Sequence, residues 1–184
     1  AVALGAAART GCARGPGTGQ AQAIRPSGLK AEFPPGLSCP GVASAYGSST
    51  RYDGSPRPSW APGGGRHGGI DISLAEGTPL LALAPGTVLD TGEGGMMEGV
   101  YLWLAHAPGD TGLPYWIHSK YQHLSALPSL SPGERVGLGQ VVGLSGRSGT
   151  VGGHYGSQGY PHLHLTIRRG DAAGDPGDPG AGAL

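Results

Sequence analysis

Residues 99–124 read GVYLWLAHAPGDTGLPYWIHSKYQHL, and this stretch predicts the fold class. Two runs rich in aromatic and aliphatic residues, 99–107 and 115–124, flank the turn-forming sequence PGDTGLP. Such runs, separated by glycine and proline, are typical of an antiparallel β-hairpin. Alternation along the second run puts His118 on one face with its neighbours at even positions. The opposite face then carries Tyr115, Ile117, Ser119, Tyr121 and His123.

The segments around this hairpin also have the character of short strands. GIDISL alternates apolar and polar residues from Gly69 onward, as a strand with one buried face does. TPLLALA and TVLDTG, joined by Pro85-Gly86, are interpreted as two strands connected by a turn, that is, a second hairpin. QVVGLSG and HLHLTI supply two further strands, and no segment has a 3.6-residue apolar stripe of helical length. The sequence therefore predicts a small all-β, antiparallel domain.

The composition indicates long loops and three regions. The chain has 184 residues with 38 Gly and 17 Pro, which suits many turns between strands. Residues 1–32 lack hydrophobic periodicity and are expected to be a disordered leader or linker. Residues 33–170 are expected to form one domain, and 171–184 a flexible tail.

Charge and hydropathy exclude two classes of partner. Twelve basic and twelve acidic residues balance, and no basic face is implied, so nucleic acid is not expected as a partner. No apolar run reaches the roughly 18 residues that span a membrane. The opening, AVALGAAARTGC, is similar to the end of a signal sequence, and Arg9 argues against lipidation at Cys12. Cys12 and Cys39 form one disulfide or remain unrelated thiols.

The candidate chemistry begins with GYPHLHLTIRR, residues 159–169. On a strand, His162 and His164 share a face with α-carbons about 6.6 Å apart, while Leu163 points to the other face. That spacing suits a site in which one imidazole binds a metal and the other contacts water or substrate. Two histidines on an exposed sheet face are the alternative.

Two further segments supply metal-ligand residue types. In RHGGIDI, His67 and Asp71 are four residues apart, but Gly68 and Gly69 disfavour a helix, so the pair fits a glycine loop that enters a strand. In KYQHLS, His123 ends a hairpin strand. A surface histidine, a turn aspartate and a strand-end histidine are the alternatives when each is taken alone. Together, ligands of mixed nitrogen and oxygen type without thiolates favour an open catalytic zinc site and metal-assisted hydrolysis.

At these residues the chain resembles the lysostaphin/LytM family of zinc peptidases, which have a duplicated-hybrid-motif-like β domain. The likeness covers roughly Val42 to Ile167 and includes four segments in the family's order: RHGGIDISLAEGTPLLALAPGTVLDTG, YQHLS, PGERVGLGQVVGLSGRSG and PHLHLTI. The resemblance implies a groove with one zinc ion per chain, bound by His67, Asp71 and His164. It also implies that His123 and His162 are catalytic, assisting the attack of zinc-bound water on the substrate carbonyl. Which of the two is the general base stays open.

The resemblance further implies peptidoglycan stem peptides or cross-bridges as substrate, and a location outside the cytoplasm. A groove-lining tyrosine is expected upstream of the first ligand, as Tyr46 or Tyr52. The chain departs from the family pattern in a longer loop, VGGHYGSQGY, whose His154 lies over the site or is simply exposed. The alternatives are a non-catalytic regulator of wall hydrolases, which typically lacks metal ligands, and a structural β-domain with incidental histidines.

Overall fold

The computed structural model describes residues 40–150 and 159–174. The strands are β1 Val42–Ser44, β2 Ile70–Ser73, β3 Pro79–Leu81, β4 Gly86–Glu93, β5 Val100–His106, β6 Trp116–Leu124, β7 Arg135–Val136, β8 Val141–Leu144 and β9 His162–Gly170. A 3-10 turn, Pro62–Gly65, and a one-turn helix, α1 Pro108–Thr111, complete the elements. Within these described residues no helix has the length and apolar character needed to cross a membrane.

Several predictions fall outside the described residues. They concern the leader at 1–32, the cysteines Cys12 and Cys39, the inserted histidine His154 and most of the C-terminal segment. Within that C-terminal segment, the carbonyl oxygen of Ala173 accepts a hydrogen bond from Nε2 of His118 at 3.0 Å.

The strands form two antiparallel sheets, and the all-β prediction is confirmed. Seven strands lie in the order β1-β2-β9-β6-β5-β4-β7, and β3 pairs with β8 in a separate two-stranded sheet. The predicted hairpin of residues 99–124 is β5 and β6, which pair antiparallel from Val100–Leu124 to His106–Ile117. The connection between them contains α1, because Pro108 suits a first helical turn and Gly112 takes the left-handed conformation that ends it.

The second predicted hairpin, β3 with β4, is wrong. Both strands exist, but β3 pairs with β8 while β4 pairs with β5 and β7. The chain changes sheets between them because burial of apolar side chains decides the pairing: the two-stranded sheet covers one face of the large sheet with Leu80 and Val142. The buried hydroxyl of Tyr121 fixes this arrangement by donating to the carbonyl of Leu81 and accepting from the amide of Leu83, each at 3.1 Å.

The core therefore lies on one face of the seven-stranded sheet. Buried apolar side chains from both sheets form it: Leu80, Ala82, Val88, Val100, Leu102, Leu104, Tyr121, Leu124, Val136, Val142 and Leu163. Residues that alternate with these point to the other face of the large sheet. One cross-strand row on that face joins Asp71, His164, Gln122 and Tyr101 on four neighbouring strands. We refer to this second face of the large sheet as the metal face.

The face predicted for His123 is also wrong, since strict alternation would put its ring beside Tyr121 in the core. The register of β5 and β6 shifts between Val100 and Tyr101, so two residues of β6, Gln122 and His123, lie opposite the single residue Tyr101 of β5. His123 has φ of 64°, a left-handed conformation that is rare for a residue with a side chain. This β-bulge turns the His123 ring onto the metal face, and Leu124 returns to the core.

Candidate metal centre

Three side chains that are far apart in sequence bring their donor atoms together on the metal face. Nε2 of His67 lies 3.0 Å from Nδ1 of His164 and 3.0 Å from Oδ1 of Asp71. Nδ1 of His164 lies 2.9 Å from the same carboxylate oxygen. The three atoms thus form a nearly equilateral triangle. His67 and Asp71 are almost wholly buried, and His164 is half-buried.

The dimensions and chemistry of this triangle fit a zinc ion. A tetrahedral zinc with bonds of about 2.0–2.1 Å holds neighbouring ligand atoms roughly 3.3–3.4 Å apart, which is a few tenths of an ångström wider than the triangle. Two imidazoles and one carboxylate are a known catalytic ligand set, and they leave one coordination position open. The described residues contain no other cluster of three histidine, cysteine or acidic side chains with this arrangement.

Hydrogen bonds on the far side of each imidazole decide which ring nitrogen faces the centre. Nδ1 of His67 donates to the carbonyl of Ala45 at 3.0 Å, so Nε2 presents its lone pair. Nε2 of His164 lies 3.1 Å from Oγ1 of Thr166, whose own proton is donated to the carbonyl of Gly68. The Thr166 oxygen must then accept from Nε2, and Nδ1 of His164 presents its lone pair to the centre.

Electrostatics favour the protonation states that a metal requires. Burial of Asp71 opposes ionisation, yet the effect of the neighbouring His164 and His67 rings is greater and holds the pKa of its carboxyl well below the usual range. Burial lowers the pKa of His164, against a smaller opposing effect of Asp71, so this imidazole is neutral at neutral pH. A charged carboxylate and neutral imidazoles are the ligand forms of zinc sites.

A glycine allows the loop before β2 to approach His164 closely. A Cβ at Gly69 would lie 2.6 Å from Nε2 of His164 and 2.8 Å from Oγ1 of Thr166. A Cβ at Gly68 would meet nothing within 4 Å. The second glycine of RHGGIDI is therefore required by packing against the candidate ligand, and the first is not.

The other two predicted histidines lie beside the three donors. The ring centre of His123 is 4.7 Å from that of His162 and 6.0 Å from that of His164. Nδ1 of His162 donates to the carbonyl of Tyr160 at 2.9 Å, and Nδ1 of His123 donates to the carbonyl of Ser148 at 2.7 Å. Each ring therefore keeps Nε2 as its basic atom, and Nε2 of His162 lies 3.7 Å from Oδ1 of Asp71.

Burial keeps both of these imidazoles neutral. Burial, together with the neighbouring His162, lowers the pKa of His123 to about 3. Burial also lowers the pKa of His162, although the charge of Asp71 acts in the opposite direction. Neutral imidazoles with a free Nε2 are able to accept protons.

Two loops in backbone contact hold the Ser148 carbonyl that orients His123. Gly99 and Gly149 both have φ of 63°, and a Cβ on Gly99 would collide with the carbonyl oxygen of Ser148. The hydroxyl of Ser148 adds two further bonds, to the carbonyl of Leu124 at 2.7 Å and from the amide of Val100 at 2.9 Å. A cavity of about 400 Å³ beside this loop is lined by Glu76, Met96, Ser125, Arg147, Ser148, Gly149 and Thr150.

The site also contains residues that the sequence analysis did not identify. Nη2 of Arg57 lies 3.5 Å from Oδ2 of Asp71 and 3.1 Å from Oγ of Ser44. The ring of Tyr160 stacks on His162, with ring centres 4.4 Å apart and planes at 17°. Tyr160 and Thr166 could have been identified from the sequence, because strand alternation puts them on the same face as His162 and His164. Arg57 lies in an irregular loop, where no periodic pattern indicates which residues face the site.

Of the two candidate groove tyrosines, Tyr52 lies near the site. Its ring centre is 4.1 Å from that of Tyr160 and the two ring planes are tilted by 52°, so aromatic contacts run from His162 through Tyr160 to Tyr52. Tyr46 is half-buried in the turn after β1. The carbonyl and amide of the adjacent Gly47 bond to Arg66 and His67, so this turn supports the loop that carries the first ligand.

Comparisons with known proteins identify the family of the chain. Residues 65–176 match the family model described as Peptidase family M23. The chain is 32% identical over 103 residues to the glycyl-glycine endopeptidase ALE-1 of Staphylococcus capitis, covering 55% of this chain and 24% of that protein. It is 34% identical over 101 residues to the peptidoglycan DD-endopeptidase ShyA of Vibrio cholerae, covering 55% of this chain and 20% of that protein. The chain thus spans about a quarter or less of these relatives.

The fold is similar to that of a solved structure. The catalytic domain of the antimicrobial peptidase lysostaphin from Staphylococcus simulans aligns with a TM-score of 0.50 at 23% identity. The alignment covers 74% of this chain and 84% of that domain. This likeness supports the antiparallel fold described above.

Proposed function

The chain belongs to peptidase family M23, and on that premise we propose that it is a zinc-dependent endopeptidase that hydrolyses peptide bonds in peptidoglycan stem peptides or cross-bridges. The observation that carries the proposal is the convergence of five side chains on the metal face. Three donor atoms lie within 3.0 Å of one another, and two further imidazoles lie beside them. A non-catalytic regulator has no use for this complete set.

His67, Asp71 and His164 would hold one zinc ion through Nε2, Oδ1 and Nδ1. When bound, zinc supplies Lewis acidity, which polarises the scissile carbonyl and lowers the pKa of water towards about 7. The protein's contribution is to keep these ligands in the required tautomers. Ala45 and Thr166 do so by accepting hydrogen bonds from the outer nitrogens of the two imidazoles.

His123 and His162 handle protons. Both are neutral, because burial lowers their pKa values, and both keep Nε2 unprotonated. One of the two imidazoles removes a proton from the attacking water at Nε2, and the other orients that water by accepting a hydrogen bond at its own Nε2. The proton then passes to the departing amine, which completes hydrolysis.

The substrate class follows from the names of the relatives. One is a glycyl-glycine endopeptidase and another a peptidoglycan DD-endopeptidase. Both bond types occur in cross-linked cell-wall peptides, so the proposed substrate is a peptidoglycan peptide and the proposed location is outside the cytoplasm.

The test is digestion of purified cell walls of two cross-link types, glycine-bridged and directly cross-linked, by the zinc-loaded chain. Mass spectrometry of the released fragments should show new amine and carboxyl termini at one peptide bond. A chelator should abolish the release, and the His162→Ala variant should slow it by about 10²–10⁴. Intact walls of both types after incubation with zinc-loaded protein would contradict the proposal.

A further inference from the structure

Gln122 lies on the metal face beside a candidate metal ligand. It pairs directly with His164 on β9 and with Tyr101 on β5. Residues paired across antiparallel strands point to the same face, with Cβ atoms about 4.5–5.5 Å apart. The Gln122 side chain therefore stands next to the His164 imidazole.

The bulge gives Gln122 a second functional neighbour. Consecutive residues of a regular strand point to opposite faces, but here Gln122 and His123 both reach the metal face. Gln122 is thus paired with a candidate zinc ligand and adjacent in sequence to a candidate proton-transfer residue on the same face. No position of an unbulged strand would have both neighbours.

The amide of Gln122 has no hydrogen-bond partner among the described residues, although the residue is only 9% exposed. Neither of its polar atoms is among the fully buried atoms that lack a partner, so the exposed part is the amide itself. Solvent-accessible amide atoms that bond to no protein group are available to an incoming ligand, whose polar groups then replace the water.

Neighbouring polar groups on the same face are already engaged. The hydroxyl of Tyr101 donates to Asp90 at 2.9 Å. The ammonium of Lys120 pairs with Glu98 and lies 4.8 Å from the centre of the Tyr101 ring. Gln122 is the member of this row whose hydrogen-bonding capacity is unused.

We propose that the carboxamide of Gln122 is a substrate-binding group that pairs with one peptide group of the extended substrate next to the scissile bond. A glutamine amide offers both a donor and an acceptor, which matches the N–H and C=O of a peptide unit. Recognition of the main chain does not depend on the substrate side chain, so the same contact is available to glycine peptides and to D-amino-acid peptides. The inference rests on the proposed function for the identity of the ligand.

The experiment measures peptide binding separately from hydrolysis. Zinc-loaded His162→Ala protein is titrated by NMR with pentaglycine and with a directly cross-linked muropeptide dimer. The same titrations are made with Gln122→Met added, which keeps side-chain length but removes both polar atoms. Gln140→Met is the matched control, because Gln140 is an exposed turn residue that bonds to the amide of Gly137.

Gln122→Met should raise the dissociation constant of the bound probe roughly tenfold, the effect of one or two lost hydrogen bonds. Gln140→Met should leave it unchanged, and both variants should retain zinc. Replacing one amide N–H of pentaglycine by an ester oxygen should weaken binding at one position in the Gln122 protein and not in Gln122→Met. Equal affinities with and without Gln122, or no binding of either probe, would overturn the inference. If binding depends on Gln122 but the zinc-loaded wild-type chain fails to hydrolyse walls, the result would instead count against the proposed function.

Discussion

Nε2 of His67 and Nδ1 of His164 lie 3.0 Å apart although 97 positions separate them in sequence. They meet because β2 pairs with β9 in a register that sets Asp71 opposite His164. A shift of one residue would send every side chain of β2 to the other face. The candidate metal centre therefore depends on strand register as much as on the identity of its ligands.

The two histidines of the HLH segment should respond differently to truncation. His164→Ala removes a donor of the triangle, so the purified protein should lose its zinc and its activity. His162→Ala removes a proton-transfer group, so it should keep zinc while turnover falls by about 10²–10⁴. Elemental analysis together with a cell-wall assay measures both. Loss of zinc from His162→Ala would reverse the assigned roles.

Thr166→Val should weaken zinc binding without removing a ligand. The hydroxyl accepts from Nε2 of His164 and donates to Gly68, and it is almost wholly buried. Its loss frees the imidazole to turn or to adopt the other tautomer, with an expected cost of roughly 10–100-fold in zinc affinity. Competition with a chromophoric chelator gives the affinity. Thr166→Ser, which keeps the hydroxyl, should bind zinc nearly as well as the wild type.

The adjacent glycines of the first motif should differ sharply. Gly69→Ala places a methyl group 2.6 Å from Nε2 of His164, so either the loop before β2 or the imidazole must move. We expect lower thermal stability and weaker zinc binding. Gly68→Ala meets no atom within 4 Å and serves as the control. Equal melting temperatures and zinc affinities for the two variants would contradict this account of the loop.

His106, a buried histidine at the end of β5, should make stability depend on pH. Its ring is fully buried, with Nδ1 2.8 Å from the carbonyl of Pro85 and Nε2 2.8 Å from Oγ of Ser119. Burial lowers the pKa of His106 below its ordinary value of 6.5, although the Pro85 carbonyl opposes the change. Below pH 6.5 the unfolded chain therefore binds more protons at this site, and the folded state loses stability as pH falls.

Denaturant unfolding of zinc-loaded protein between pH 5 and 8 measures this effect as the difference between wild type and His106→Gln. One proton contributes at most about 1.4 kcal/mol per pH unit to the free energy of unfolding. Below pH 6.5, the free energy of unfolding should fall less steeply with decreasing pH in His106→Gln than in the wild type. Parallel profiles would show that His106 titrates alike in both states.

The sequence predicted most of the strands and the five side chains of the candidate site on which the proposed function rests. Strand-like runs predicted β5, β6 and β9, because their apolar residues follow the period of a sheet. Alternation also put His162 and His164 on one face, as observed. These are local properties, so they are visible without knowledge of the tertiary structure.

Features that depend on distant contacts were missed. The partner of β3 is decided by burial of Leu80 against Val142, which no local pattern records. The face of His123 depends on a left-handed residue for which glycine or asparagine would have been the usual signal. Arg57 reaches Asp71 from an irregular loop. In each case the deciding interaction joins segments far apart in the chain.

Main-chain oxygen atoms orient three of the four site histidines: Ala45 for His67, Ser148 for His123 and Tyr160 for His162. Such an anchor is independent of which side chain the anchoring residue carries, provided that the backbone keeps its path. Mutation in the surrounding loops is thus free to alter the groups exposed to solvent while the imidazoles keep their orientation. The architecture lets substrate preference diverge in evolution at little risk to catalytic competence.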